Sequence, residues 1–272
     1  KSWIQPTIGN LPLMQVCPFH IEQVKKKMHD KGQSPRSIQY MIAVVRQVFH
    51  SARSNNKYEG KAPTSEVKKP KFDNRRMRFL SHDEAQILLS ALKKKSVLVH
   101  EISLISLTSG LRFNEIVSLV WSDFDLSRGI LTIRNTKNGR TRVAYLTSAV
   151  REIFSVKVRG RNDELIFQGR DGVKIERISR TFERVVEELG FNKNISDSRQ
   201  RFVFHSLRHT YASWMVEGGV SLYVLKNLLG HSGISQTERY AHLGDESLQA
   251  AVKTFEKSFQ AKDQGTFAEK IA

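Results

Sequence analysis

The sequence predicts a mainly α-helical chain in two domains, with one small β-sheet or hairpin in the second. Three observations carry this. Apolar residues recur at helical spacing through most of the chain. One Asn-Gly pair sits between two short alternating segments. A cation-rich stretch over 61–78 breaks the periodicity.

Residues 15–57 read as two helices. Ile21, Val24 and Met28 share an apolar face. Ser34-Pro35 is a helix start, a cap followed by a first-turn proline. Ile38, Met41, Ile42, Val45, Val48 and Phe49 follow at helical period. The segment is basic (Lys25, Lys26, Lys27, Lys31, Arg36, Arg46), so 1–60 reads as a small helical module. Residues 61–78 hold two prolines and many cations and read as a basic linker. Ser81 and Glu84 then form a capping box before a new apolar run. The second domain is expected over 79–260, with 261–272 as a tail. Within it, 101–121 looks helical with an interruption at Ser109-Gly110. Ile130, Thr132 and Arg134 alternate with Leu131 and Ile133, and Val143, Tyr145 and Thr147 form a second alternation. Asn138-Gly139 between them is a two-residue hairpin signal. Residues 147–158, 176–189, 206–217 and 221–229 read as helices, the last capped by Gly230. Ser235 and Glu238 form a further capping box, so another helix is expected there, with Tyr240 in its second turn.

The 272 residues include 44 Lys+Arg against 27 Asp+Glu, a formal net charge of +17. That excess points to a polyanionic partner, nucleic acid first, with a solvated basic surface as the bland alternative. No apolar run approaches the ~20 residues a membrane helix needs, and no signal peptide is visible. No membrane association is expected, and the cytoplasm is the plain location. Cys17 is the only cysteine, which excludes a disulfide framework or a cysteine-rich zinc site. The sequence begins at Lys1 without a starting Met, which points to a segment upstream.

The candidate chemistry lies in four stretches. In "TSGLRFNEI", Arg112 stands at a helix start, where a cation opposes the helix dipole unless an anion is near. Glu115, three residues on, allows an ordinary surface pair instead. Lys137 sits at the hairpin tip "NTKNGR", either as a solvated turn lysine or as a proton donor held on a stiff element. In "HSLRHTYASWM", His205 and His209 are four apart, as helix-borne zinc ligands would be. No Glu follows the first His and no third ligand is evident, so no metal is expected. His205 and Arg208 share a face and could hold an anion together, while His209 points elsewhere and packs or caps. In "LLGHSGISQTERYAHL", His231 follows the Gly230 cap. Tyr240 is either a core residue or a nucleophile whose phenol, with an ordinary pKa of ~10, needs help to ionise.

Together these stretches closely resemble the tyrosine recombinases, or phage integrase family. The order Arg, Lys, His-x-x-Arg, His, Tyr matches without departure, and the likeness covers the whole chain. The resemblance implies that 1–60 is the core-DNA-binding module and 79–260 the catalytic domain. It implies site-specific cutting and rejoining of DNA through a 3′-phosphotyrosine, with no metal or other cofactor. Tyr240 would be the nucleophile, Arg112 and Arg208 the clamp on the phosphate, His231 a further hydrogen-bond donor, Lys137 the general acid, His205 the base, and Glu115 the residue that orients them. Lys25, Arg36, Arg46, Lys68, Lys69 and Lys71 are the expected DNA contacts. The expected partners are double-stranded DNA, four copies of the chain on synapsed DNA with a monomer when free, and DNA-bending accessory proteins. A nucleoid-associated location follows. Leu248, Val252, Phe255 and Phe259 form an apolar stripe that packs either on its own domain or, as the resemblance favours, on a neighbouring copy. Two other readings stay open: a type IB topoisomerase with the same residues, and a DNA-binding protein with a silent site.

Overall fold

The computed structural model describes residues 2–71, 78–134, 141–169 and 172–244, together with 252, 253, 255 and 256. The chain forms two compact units, Lys1–Asn74 and Arg75–Ala272.

The first unit is built from α1 (Gln5–Ile8), α2 (Pro18–Asp30) and α3 (Pro35–Ser54). Ser34 caps α3 as expected, its hydroxyl accepting the Ser37 N–H at 3.2 Å. Ile21, Val24 and Met28 of α2 meet Ile38, Met41, Ile42, Val45 and Phe49 of α3 in one core with Ile8, Val16 and Val67. Val48 departs from the expectation. It lies at the edge of the stripe and is exposed, as are Tyr40 and Val44 on the outward face. Part of the stretch expected as a linker over 61–78 also packs on this core. Pro63–Ser65 forms a 3-10 turn, and Thr64 and Val67 are buried. Lys25 Nζ donates to the Lys68 carbonyl at 3.0 Å, and Gln39 Nε2 to that of Pro70 at 2.8 Å. The periodicity fails there because an irregular segment is laid across the helices, not because the chain is free.

The second unit opens with α4 (His82–Lys95). Its capping box closes both ways: Glu84 N–H to Ser81 Oγ at 3.1 Å, and Ser81 N–H to Glu84 Oε2 at 2.9 Å. Helix α5 (Val97–Ser109) is buried along most of its length and touches both α4 and the later helix Phe204–Glu217, so it reads as apolar nearly all round. Gly110 ends it in the left-handed region at φ 66°, where a Cβ would collide with the Tyr211 ring. The helix expected through residue 121 is much shorter: α6 spans only Phe113–Ile116. Beyond it the backbone pairs elsewhere, Val120 bridging to Leu165 and the Leu119 carbonyl accepting from Ile166 N–H.

Strands β1 (Phe124–Asp125), β2 (Ile130–Ile133) and β3 (Arg142–Tyr145) form an antiparallel sheet in that order. In the β2–β3 register Ile130 faces Tyr145 and Ile133 faces Arg142. Leu131 and Ile133 are buried, but the β3 alternation faces outward: Val143 and Tyr145 are exposed, while Arg142, Ala144 and Leu146 turn inward. The Asn138-Gly139 tip with Lys137 lies outside the described residues.

Helices α7 (Ser148–Val156), α8 (Arg180–Glu188), α9 (Phe204–Glu217) and α10 (Leu222–Leu229) complete the unit. The α8 start is four residues later than expected, at the Ser179 cap. Phe167, Phe182 and Phe202 are fully buried here, each worth about 1.5–3 kcal/mol of transfer free energy. Gly230 caps α10 at φ 64°. The helix expected after Ser235 is absent: two 3-10 turns, Ile234–Gln236 and Glu238–Leu243, carry the chain instead. Ser235 is exposed, whereas Thr237 is fully buried. Contacts to α9 and α10 decide this segment over its local capping signal. Of the expected C-terminal stripe, Val252 and Phe255 are helical and exposed, and Leu248 and Phe259 lie outside the described residues. Among the described residues no helix is long and apolar enough to cross a membrane.

Candidate active site

The αL turn at Gly110 brings Arg112 and Glu115 beside the start of α9 and the end of α10. Arg112 is the N-cap of α6, and its N–H donates to Glu115 Oε2 at 2.8 Å. Its guanidinium meets Glu115 Oε1 at 2.9 Å. The pair is not the ordinary surface pair considered above, because the Glu115 side chain is only 7% exposed. A second guanidinium, from Arg142 on β3, reaches Glu115 Oε2 at 2.8 Å, and a third, from Arg208, lies 4.0 Å away. Burial acts to raise the Glu115 pKa, but the charge of Arg142, the Arg112 amide, and the charges of Arg112 and Arg208 outweigh it. The carboxyl is held below its ordinary range.

Arg208 is almost fully buried in α9. Its guanidinium donates to the Gly110 carbonyl at 2.5 Å and to that of Leu229 at 2.7 Å. Burial, and then Arg112, push its pKa down to about 9, which leaves it charged at neutral pH. Arg142 donates to the next carbonyl along, that of Leu228, at 2.8 Å. Two arginines therefore hold the C-terminal carbonyls of α10, where cations complement the helix dipole. They set the loop that carries His231. His231 Nδ1 lies 2.9 Å from Thr237 Oγ1. Burial, then Arg208, Arg112, Arg239 and Arg142, depress its pKa to about 3, so it is neutral. Four arginine charges thus reach one imidazole, with Glu115 as the buried carboxylate among them.

Tyr240 is 6% exposed, and its hydroxyl lies 2.5 Å from His209 Nδ1. Burial raises the phenol to about 12, against the opposing charges of Arg239 and Arg208. The phenol is therefore protonated, and it donates to His209 when Nδ1 carries no proton. The His209 ring meets that of His205 edge-on at 4.9 Å. His205 is exposed and lines an open groove of ≈ 960 Å³ with Arg112, Glu115, Arg134 and Lys174.

Five of the expected residues, Arg112, Glu115, Arg208, His231 and Tyr240, are thus joined by contacts or by charge, and His205 sits beside them. Lys137 lies outside the described residues. Of the expected DNA contacts, Lys25 is partly buried and paired with Glu22 at 3.0 Å, and Arg36 stacks on Tyr40 at 4.6 Å. Arg46, Lys68, Lys69 and Lys71 are exposed. All six belong to the first unit. The sequence reading missed Arg142, Arg239 and the contact of His209. Arg142 carried one signal: it stands in register with Ala144 and Leu146, two residues fit for burial. Arg239 carried none beyond its place next to Tyr240.

The site thus sets a buried tyrosine against a basic cluster suited to an anion. The chain matches the model of the phage integrase family over residues 78–247. It belongs to that family, the tyrosine recombinases. It is 27% identical over 231 residues to the tyrosine recombinase XerA of Pyrococcus furiosus, covering 84% of this chain and 77% of that protein. It is 25% identical over 245 residues to the tyrosine recombinase XerD of Staphylococcus epidermidis, covering 86% and 81%. Among solved structures, the integrase of transposon Tn1549 in complex with transposon right end DNA matches with a TM-score of 0.73. There the identity is 20%, over 94% of this chain and 90% of that one. A lambda integrase dimer bound to a core site matches with a TM-score of 0.69 at 18% identity, over 88% and 68%. These two likenesses are of fold.

Proposed function

We propose that the chain is a site-specific recombinase that cuts and rejoins double-stranded DNA through a 3′-phosphotyrosine, without metal. The observation that carries this is the Tyr240 hydroxyl buried within the field of Arg208 and Arg239. Attack of the phenol on a phosphodiester makes a pentavalent phosphorus whose non-bridging oxygens gain charge. Arg112 and Arg208 neutralise that charge in fixed geometry, and neutral His231 donates to the same phosphate. Each such donor contributes roughly 10²–10³ in rate. The buried Nε atoms of Arg142 and Arg239, without hydrogen-bond partners among the described residues, add to a field that favours an oxyanion. Lys137 protonates the leaving 5′-oxygen, and by the family pattern His205 takes the phenol proton. General acid or base help is worth roughly 10²–10⁴. Glu115 orients the arginines.

Lys25, Arg36, Arg46, Lys68, Lys69 and Lys71 contact the DNA backbone through the core-binding module of 1–60 and the basic stretch that follows, and 79–260 is catalytic. Exchange of strands between two duplexes takes four copies of the chain, with DNA-bending proteins as accessories. The tail beyond 244 joins neighbours. The substrate puts the protein with the nucleoid in the cytoplasm. The solved complexes of Tn1549 and lambda integrase with DNA support the same reading.

One experiment tests it. A duplex selected by binding from a random library is nicked near its centre and incubated with the protein and a second duplex, then run on a denaturing gel. A covalent protein–DNA adduct and strands joined between duplexes are expected. An adduct without joining marks a topoisomerase, and no adduct marks a DNA-binding protein.

A further inference from the structure

The family pattern gives no part to His209, and against the expectation that it points elsewhere it lies one helical turn past His205, its ring edge-on to that of His205. Its ring is nevertheless the group in contact with the nucleophile. Nδ1 of His209 and the hydroxyl of Tyr240 are 2.5 Å apart, both residues are buried, and their ring centroids are 6.0 Å apart. In the tautomer whose Nδ1 carries no proton, the phenol donates and Nδ1 accepts. Both residues are buried, so this nitrogen lies within hydrogen-bond reach of the phenol proton where bulk solvent does not. His205 lies exposed in the groove beside Arg112, where a DNA phosphate has room.

We propose that His209 is a further catalytic residue and replaces His205 as the acceptor of the Tyr240 proton during DNA cleavage, leaving His205 to face the phosphate. The inference rests on the recombinase reading above. In the step, the phenol oxygen bonds to phosphorus while its proton passes to His209 Nδ1. The phosphorus–5′-oxygen bond breaks, and the departing oxygen takes a proton from the general acid. On rejoining, the 5′-hydroxyl attacks the phosphotyrosine and gives its proton back to the general acid, while the bond from phosphorus to the phenol oxygen breaks and His209 returns its proton to that oxygen. The charged and titratable groups around the pair are His205 on the same helix and Arg208 and Arg239 near the phenol. The two arginine charges favour phenolate character in Tyr240 as the proton leaves, so base and field act in the same direction.

The test uses the full chain and the nicked duplex selected by binding. His209→Gln is expected to bind that DNA as the unaltered protein does and to form adduct at least ~10²-fold more slowly at saturating DNA. A fluorinated, more acidic tyrosine placed at 240 is expected to recover most of that loss, because a weaker base suffices for a more acidic phenol. A residue with a merely packing role does not respond to nucleophile acidity. Cleavage at the unaltered rate in His209→Gln overturns the proposal, as does a defect equal with either nucleophile. Where His209→Gln does not fold, the ¹⁵N resonances of the His209 ring in the intact chain decide. A change in them on Tyr240→Phe supports the contact, and unchanged resonances overturn it. Failure of the unaltered chain to form any adduct refutes the recombinase reading itself, whereas an adduct that forms equally well without His209 refutes this step alone.

Discussion

Glu115 is a single buried carboxylate that answers to three arginines, two in direct contact and one at 4.0 Å. Removing its charge leaves guanidinium groups facing one another at low dielectric. Breaking a buried pair from one side costs about 3–5 kcal/mol. Glu115→Gln is therefore expected to lower the denaturant midpoint by about that much stability at unchanged slope, read by urea unfolding, and to slow DNA cleavage. His231 gives a pH-dependent counterpart. Folded, its pKa is about 3, and its ordinary value is 6.5. Between those values the unfolded chain binds the extra proton, so stability is present above pH 6.5 and is lost as the pH falls toward 3. His100, also lowered chiefly by burial, adds to the same slope. His231→Gln is expected to flatten part of the decline in melting temperature between pH 7 and pH 4, and an unchanged profile would show that His231 is not held neutral.

At the scale of elements, the site is assembled by helix ends. Gly110 and Gly230 end α5 and α10 in the left-handed region, and each frees carbonyls that Arg208 and Arg142 take up. A Cβ at Gly230 would stand 2.5 Å from Arg142 Nε. Gly230→Ala is expected to cost about 1–3 kcal/mol in backbone strain and, by displacing Arg142 from Leu228 and Glu115, to slow cleavage more than it weakens DNA binding. Thermal unfolding and adduct kinetics check the two parts. These stop signals were legible in the sequence because a cap is a local device: Ser34, Ser81 with Glu84, Gly110 and Gly230 each need only their own few residues. The Ser235–Glu238 signal failed because the nearby Thr237 hydroxyl is held by His231, outside the capping motif, and Tyr240 by His209 of α9, a contact far away in sequence. The same reason hid Arg142. Its partners are Glu115 and the carbonyl of Leu228, and no spacing rule joins positions so distant.

For the whole molecule, the charge of +17 read at the outset is the broadest expectation. Much of it lies in the first unit, where Arg46, Lys68, Lys69 and Lys71 stand exposed. Each phosphate they neutralise adds about 0.9 to the slope of log K against log salt. Replacing Lys68, Lys69 and Lys71 with Ala is expected to shallow that slope by roughly 2–3 for a bound duplex, measured by fluorescence anisotropy. An unchanged slope would put these lysines off the DNA. The central claim is that all this charge serves one tyrosine. Mass spectrometry of the protease-digested adduct, formed on the nicked duplex, tests it most directly. A nucleotide joined through its 3′-phosphate to the peptide that contains Tyr240 is expected, and no adduct at all from Tyr240→Phe. A nucleotide carried by any other residue, or an adduct that persists in Tyr240→Phe, would contradict it.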